Sequence, residues 1–516
     1  MKTFTKSKLK QKILTISLRH AIIDAIKQGD SNMEKQSKSF IRLKRIIMKN
    51  FRNIEYGKVD FPNSSFDEYE NEEPSILGFY GQNGSGKTSC VMAIGLLRRA
   101  LAGLSMDYRY NGCIRTGCDH AELEYEFTYL DEENRKLSIS YSFHLTEKEK
   151  EKTDEDGNPV IDDVLYISNE ILSYKGTDSD GAQIGKTLIA DTTPDASKRG
   201  YAFGRDKNYK KLIKPSRETT NELREEKAVC YSDSRSFLFS EKLLDLIEKN
   251  ENNKVTLLVL TFLQVFGQAY LHIIDNSNTG INNMNIVLPL LIWSIDDDMK
   301  LTNASALLKM GKHDQESLPE NYYPSFCNGI DSFNEVLCQL IPGFSIEIND
   351  LGVSKTRRGT DVHNFTLYSN RKGIRIPLNY ESDGIRRIVS IMTLLIGVFN
   401  QRSMTVVIDE IDSGIYEYLL GEILRIMSSG AKGQLVFTSH NLRALEVLPS
   451  KYVCFTSTNP KKRFVKLIRT GNSNLRDLYI RKIVLGSDDE QLYDPTDNYE
   501  IELAFYNAGR KQDKTL

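Results

Sequence analysis

Residues 75–88 read Ser-Ile-Leu-Gly-Phe-Tyr-Gly-Gln-Asn-Gly-Ser-Gly-Lys-Thr. Six largely apolar residues, Ser75–Tyr80, read as a buried strand. Gly81 through Thr88 then fit GxxxxGK[ST], and an apolar run with Val91, Ile94, Leu96 and Leu97 follows as a helix. The physical content is specific. Glycines let backbone N–H groups converge on phosphate oxygens, and the helix N-terminus adds positive potential. In this reading Lys87 reaches the β/γ-phosphates and Thr88 ligates Mg²⁺. Asn83, Gly84, Ser85, Gly86 and Ser89 complete the nucleotide-binding set. The string alone arises by chance in long chains, but a strand before it and a helix after it make a phosphate loop.

Three downstream stretches answer to it. Residues 404–410, Met-Thr-Val-Val-Ile-Asp-Glu, read as a buried strand ending in two carboxylates. Beside a phosphate loop, Asp409 can hold the Mg²⁺ shell and Glu410 can orient or deprotonate the attacking water. The bland alternative is a strand that runs into an acidic turn. Residues 434–441, Gln-Leu-Val-Phe-Thr-Ser-His-Asn, are a second buried strand. It ends in His440, placed to contact the γ-phosphate, although most lone histidines are structural or solvated. Residues 380–387 open a long apolar helix with Ser382 as N-cap and Gly384 permitting close approach. That is an ordinary capped helix or a second anion-binding terminus.

Elsewhere a basic helix is expected up to residue 39, strands at 42–48 and 164–174, and a β-hairpin from 121–129 and 137–145. The hairpin follows from strict alternation, Ala121, Leu123, Tyr125, Phe127 and Tyr129 against Glu122, Glu124, Glu126 and Thr128. Residues 176–235 read as loop-rich. Residues 236–340 read as mostly helical, with apolar runs at 237–247, 255–274 and 284–295. Strands return at 344–350, 363–368 and 374–378, then a helix at 384–399 and another near 416–428. The tail reads as strands at 452–456 and 464–468 and a helix at 474–483. The fold class is therefore α/β, with a mixed sheet and an antiparallel β subdomain.

Composition narrows the class. The 516 residues carry 68 Lys and Arg against 70 Asp and Glu, a net charge of −2. Residues 1–50 hold 13 basic against 3 acidic residues, so a basic arm sits on an acidic body. Seven scattered cysteines with no CxxC pair argue against a zinc ribbon or hook and for reduced thiols. No membrane span is expected, because the best candidate, 255–271, is short and broken by Gln264, Gly267 and Gln268. A cytoplasmic protein is the expectation.

The order of phosphate loop, Ser-x-Gly helix, Asp-Glu strand and strand-Ser-His resembles the ABC-type ATPases of the SMC/RecF/OLD group. Within it the sequence is similar to the OLD-like AAA ATPases of phage-defence operons, of the PtuA and AriA kind. The resemblance covers 41–175 and 344–470. It implies an ATPase head interrupted by a loop-rich then helical insertion, 176–343, with a helical arm over 1–40 and a tail of the head over 471–516. Lys49-Asn-Phe-Arg-Asn53 resembles the family's NFR turn, which implies that Arg52 lies near the nucleotide. It also implies a homodimer or higher oligomer closed around ATP, with the phosphate loop of one copy facing Ser382 and Gly384 of the other. Ser-Asp-Gly stands where Ser-Gly-Gly is usual, and Tyr416 where many relatives carry histidine. The 76 residues after His440 are too few for a Toprim nuclease domain, so no intrinsic nuclease is expected. The acidic triplets 296–298 and 488–490 read as solvated turns.

Residues 198–217 hold eight basic residues against Asp206, with Tyr201, Phe203 and Tyr209 interleaved. This stretch and the arm are candidate surfaces for nucleic acid or an acidic partner. The leading reading is an ATP-binding and hydrolysing switch that gates a separate nuclease or toxin effector. A RecF-like DNA-repair ATPase and an ATP-bound scaffold with little turnover are the alternatives, and a transporter motor is disfavoured.

Overall fold

The structure, a computed structural model, describes residues 39–66, 73–106, 108–131, 133–153, 159–193, 213, 216–249, 254–274, 286–295, 301–310, 315–320, 323–356, 359–467, 474–485, 492–494 and 496–512. The basic arm, most of 198–217 and the triplets 296–298 and 488–490 lie outside the described residues.

The first described elements are an antiparallel pair, β1 (Phe40–Phe51) and β2 (Ile54–Asp60). Strand β3 (Ser75–Tyr80) and helix α1 (Lys87–Leu101) bracket the phosphate loop as expected. Strands β4 (Ala121–Leu130), β5 (Lys136–Thr153), β6 (Pro159–Thr177) and β7 (Gln183–Asp191) extend the first pair into a six-stranded sheet of order β2-β1-β4-β5-β6-β7. The alternating residues of β4 show why. Ala121, Leu123, Tyr125 and Phe127 are buried, while Glu122, Glu124 and Glu126 are partly exposed on the other face.

Helices α2 (Arg217–Ser232), α3 (Glu241–Glu248) and α4 (Lys254–Val265) follow. A π turn over Phe266–Tyr270 leads into β8 (Leu271–Ile274). Next come the hairpin β9 (Ile286–Ile295) and β10 (Leu301–Met310), then β11 (Glu316–Pro319) and α5 (Tyr323–Leu340). Strands β12 (Phe344–Lys355), β13 (Asp361–Arg371) and β14 (Ile374–Pro377) form a small antiparallel sheet with β11. The remaining elements are α6 (Asp383–Asn400), β15 (Thr405–Ile408), α7 (Glu417–Gly430), β16 (Gln434–Thr438), α8 (Arg443–Val447), β17 (Val453–Thr456), β18 (Phe464–Val465), α9 (Leu475–Leu485) and α10 (Asn498–Gln512).

The fold is α/β. The central sheet has the order β18-β17-β3-β16-β15-β8, and its β17-β3-β16-β15-β8 part is parallel. Both faces are covered, as a parallel sheet requires. Period-2 alternation divides its side chains between two cores. Leu77, Phe79, Val407 and Val436 join the antiparallel sheet, α1 and α4. Ile76, Tyr80, Val406, Ile408, Leu435 and Phe437 join α6, α7 and α8. Gly78 leaves room for the Phe437 ring of the neighbouring strand β16, since a methyl group there would sit 2.5 Å from that ring. The two large sheets are tied by buried Gln434, whose amide accepts from Leu43 N (2.8 Å) and donates to Leu43 O (2.9 Å).

Two expectations are corrected. Among the described residues of 176–235, β7 and α2 stand where loop is expected. The apolar runs 255–274 and 284–295 are not helical throughout, since β8 and β9 are strands. A short apolar run does not by its periodicity distinguish a buried helix from a buried strand. Partners decide it here. Leu271–Ile274 has an open parallel edge beside β15, and β9 has β10 to pair with.

Candidate active site

The parallel order brings three strand ends to one place. β3 runs into the phosphate loop, β15 ends at Asp409-Glu410, and β16, between them, ends at Thr438 ahead of His440. Ligands in open α/β sheets bind at such carboxyl ends. A pocket of about 680 Å³ opens there. Arg52, Asn83, Gly84, Gly86, Lys87, Thr88, Ser89, Asp409, Glu410 and His440 all line it, from segments more than 300 residues apart in sequence.

The loop is shaped by its glycines. Gly84 (φ 77°) and Gly86 (φ 102°) adopt left-handed backbone, where a side chain costs energy. A methyl group on Gly81 would lie 2.1 Å from Thr456 Oγ1. Ser85 does not line the pocket. It is buried, and its hydroxyl meets Thr456 Oγ1 at 2.5 Å, so it braces the loop against β17. Lys87 is only 6% exposed, and its ammonium donates to Gly81 O (2.7 Å) and Gln82 O (3.1 Å). Burial lowers its pKa, while Asp409, Glu410 and Asp412 oppose that shift. A cation held in part by backbone carbonyls is placed to exchange them for phosphate oxygens.

The acidic end is held from three sides. Thr438 Oγ1 donates to Asp409 Oδ1 (2.5 Å) and accepts from Glu410 N (2.7 Å). Asp409 N donates to Ile274 O of β8 (2.8 Å). Arg387, from the first turns of α6, donates through Nη2 to the carbonyls of Asp409 (2.9 Å) and Glu410 (3.3 Å). Burial lowers the pKa of this guanidinium, while Asp409, Glu410 and Asp412 oppose the shift. Glu410 itself has φ 48°, a left-handed conformation uncommon for a side-chain-bearing residue. These contacts hold that turn, and Glu410 lines the pocket. His440 is exposed, and its N–H donates to Asp412 Oδ2 (3.2 Å).

Arg52 sits at φ 52° in the turn between β1 and β2. Its N–H donates to Cys113 O (2.7 Å), and Arg115 N donates to Asn50 O (2.9 Å). Ser382 and Gly384 do not line the pocket. Ser382 caps α6 by accepting from Ile385 N (3.4 Å). Gly384 presses on the loop after β15, where a methyl group would lie 2.3 Å from Gly414 O.

Four contributors escaped the sequence reading. Thr438 and Arg387 bind the acidic turn as described. Asn53 reaches the loop, its amide donating to Gly84 O and its Oδ1 accepting from Ser89 Oγ (3.2 Å). Arg463 donates to Asn53 O (2.5 Å) and Ser457 O (2.7 Å) and packs beside Gly86. Thr438, Asn53 and Arg387 lie within stretches singled out in the sequence, whereas Arg463 lies in none.

The site's donor chemistry suits magnesium nucleotide. Thr88 and Asp409 offer hard oxygen ligands of the kind Mg²⁺ takes. Asp412 Oδ1, a buried atom of the same acidic turn, has no hydrogen-bond partner. Among the described residues no helix is long and apolar enough to cross a membrane.

No curated protein matches this chain. Among solved structures it is similar to an SMC head bound to the C-winged helix domain of ScpA. There the identity is 12%, 82% of this chain and 97% of that chain are covered, and the TM-score is 0.38. It is also similar to the SMC head domain from Thermotoga maritima (13%, 83% and 100%, TM-score 0.33) and to the recombination mediator RecF with ATP (14%, 83% and 100%, TM-score 0.32). Likeness at this level says nothing of activity. The family profile described as "AAA domain, putative AbiEii toxin, Type IV TA system" matches residues 76–446, from β3 through α8. That span includes the phosphate loop, the acidic strand end and His440, and the chain belongs to this AAA family.

Proposed function

We propose that the protein binds Mg²⁺-ATP in this pocket and hydrolyses it, and that nucleotide-driven closure of two copies switches a separate effector. One observation carries the ATPase reading. Lys87, Thr88, Asp409, Glu410 and His440 line one pocket at adjacent ends of one parallel sheet. In this mechanism the loop amides and Lys87 bind the β/γ-phosphates. Thr88 and Asp409 hold Mg²⁺, which supplies charge neutralisation on the phosphate oxygens. Glu410 orients a water for in-line attack and accepts its proton. His440 contacts the γ-phosphate, and Arg52 the nucleotide beside the loop.

The proposed partner of the site is a second copy, whose Ser382 and Gly384 complete it. Both residues lie off their own chain's pocket, at the N-terminus of an 18-residue helix. Within one chain that helix grips the acidic turn through Arg387, so contact at its start can reach Glu410. The effector, a nuclease or toxin in anti-phage defence, is inferred from a full ATPase motif set with no second catalytic set recognised in the sequence.

Glu410→Gln tests the reading. Nucleotide binding should persist while turnover falls by about 100-fold or more, the scale of losing a general base. Undiminished hydrolysis would remove Glu410 from the mechanism.

A further inference from the structure

Away from the nucleotide pocket, the outer face of the six-stranded sheet carries a cluster that the ATPase reading does not use. His120 immediately precedes β4, Glu122 is its second residue, and His144 lies opposite Glu122 on β5. One ligand atom from each lies within 4.8 Å of the other two. The His120 and His144 rings are stacked at 4.6 Å, and His120 Nε2 is 3.5 Å from Glu122 Oε1. All three residues are partly buried, with His120 and Glu122 side chains 38% and 34% exposed, so water and ions reach them.

The surroundings orient these groups. The β5–β6 register shifts between Ser142 and His144, a bulge of the kind that re-aims a side chain. Opposite it, Asn169 adopts a left-handed φ of 52° and sets its amide 3.1 Å from His144 Nδ1. That leaves His144 Nε2 for a ligand, with the amide able to turn its oxygen to Nδ1–H. Lys49 Nζ donates to Glu122 Oε2 (2.7 Å), which holds the carboxylate and leaves Oε1 available. Ligating histidines and carboxylates are commonly oriented by such outer hydrogen bonds.

We propose that His120, Glu122 and His144 form a binding site for one divalent transition-metal ion of the zinc class. Two imidazoles and one carboxylate suit zinc or its borderline neighbours better than Mg²⁺ or Ca²⁺, and a water fills the fourth tetrahedral position. Bonds near 2.1 Å place tetrahedral ligand atoms about 3.4 Å apart. The cluster therefore closes by movements of about 1.5 Å or less, within reach of the partly exposed His120 ring. The ion clips the start of β4 to β5. It sits against Lys49, three residues before Arg52 on the strand that leads into the nucleotide turn.

The test is metal stoichiometry on the full chain, with Zn²⁺ and then Co²⁺ as probes. The metal-free protein should take up about one equivalent of Zn²⁺ that His120→Ala and His144→Ala each abolish. Asn169→Ala should weaken it about 10–100-fold. The Co²⁺ form should show tetrahedral d–d absorption without a thiolate charge-transfer band. His120→Ala, at a partly exposed position just outside β4, guards against loss of binding through misfolding, and unchanged circular dichroism confirms that. Absence of saturable binding at micromolar metal overturns the proposal. So does an equivalent that survives both histidine variants, or one that carries the thiolate band of a cysteine site.

Discussion

Replacing Thr438 with valine should disable the site without touching a residue that contacts nucleotide through its own charge. The hydroxyl is fully buried and makes two bonds at once, donating to Asp409 Oδ1 at 2.5 Å and accepting from Glu410 N at 2.7 Å. Valine keeps the shape and removes both. A hydrogen bond to a carboxylate is worth about 1.5–3 kcal/mol and a neutral one about 0.5–1.5 kcal/mol. The sum is about 2–4.5 kcal/mol, and little of it is recovered, since Asp409 is itself only 2% exposed and water replaces the lost donor poorly. Denaturant titration should show that loss. The Asp409 share also appears in the site as weaker Mg²⁺ dependence or slower turnover, about 10–100-fold by the usual conversion. Thr438→Ser, which keeps the hydroxyl, should recover most of it. If valine matched the wild type in both stability and Mg²⁺-dependent turnover, the idea that this hydroxyl positions the acidic turn would fail.

Other perturbations test other parts of the architecture. Gly384→Ala puts a methyl 2.3 Å from Gly414 O, so α6 and the loop after β15 must part; turnover should fall by roughly tenfold while nucleotide affinity of the isolated chain holds. Equilibrium binding alongside steady-state hydrolysis separates the two. Glu170 is 3% exposed and accepts from Tyr141 OH (2.7 Å), Ser236 Oγ and Phe237 N (2.8 Å). Glu170→Ala strands three buried donors, and thermal or chemical unfolding should show a loss of about 3 kcal/mol or more. His272 on β8 has its pKa lowered to about 4, chiefly by burial. The unfolded chain, titrating near 6.5, binds the proton first, so stability is full above about pH 6.5 and declines as pH falls toward 4. His272→Gln should flatten that slope by up to about 3 kcal/mol across the window; an unchanged pH profile would show that this histidine is not its source.

The reach of sequence reading varied by element, and the variation has physical causes. Strands β3, β15 and β16 were legible because full burial on both faces writes them as short apolar runs between turn signals. Strands β4 and β5 were legible from alternation. The phosphate loop, Asp409-Glu410 and His440 were legible as pocket-lining strand ends, because each follows a short apolar run with a distinctive local sequence. Strands β8 and β9 were not, since their apolar runs fit helix and strand equally. The last helix, α10, and the helix α2 were missed because neither has a clean apolar stripe; the described part of α10 is exposed all round.

By itself, then, the sequence specified the α/β class and the residues capable of handling phosphate, metal and water, because those depend on local pattern and side-chain chemistry. It left open how these residues meet. Only the tertiary structure decided that β16 lies between β3 and β15, which sets His440 and the acidic pair around Lys87. It also decided that Thr438, Arg387 and Asn53 hold the turns in place, and that His120, Glu122 and His144 converge on a separate face. Strand order and register are long-range properties, set by the packing of two cores against one sheet, and no window along the chain contains them.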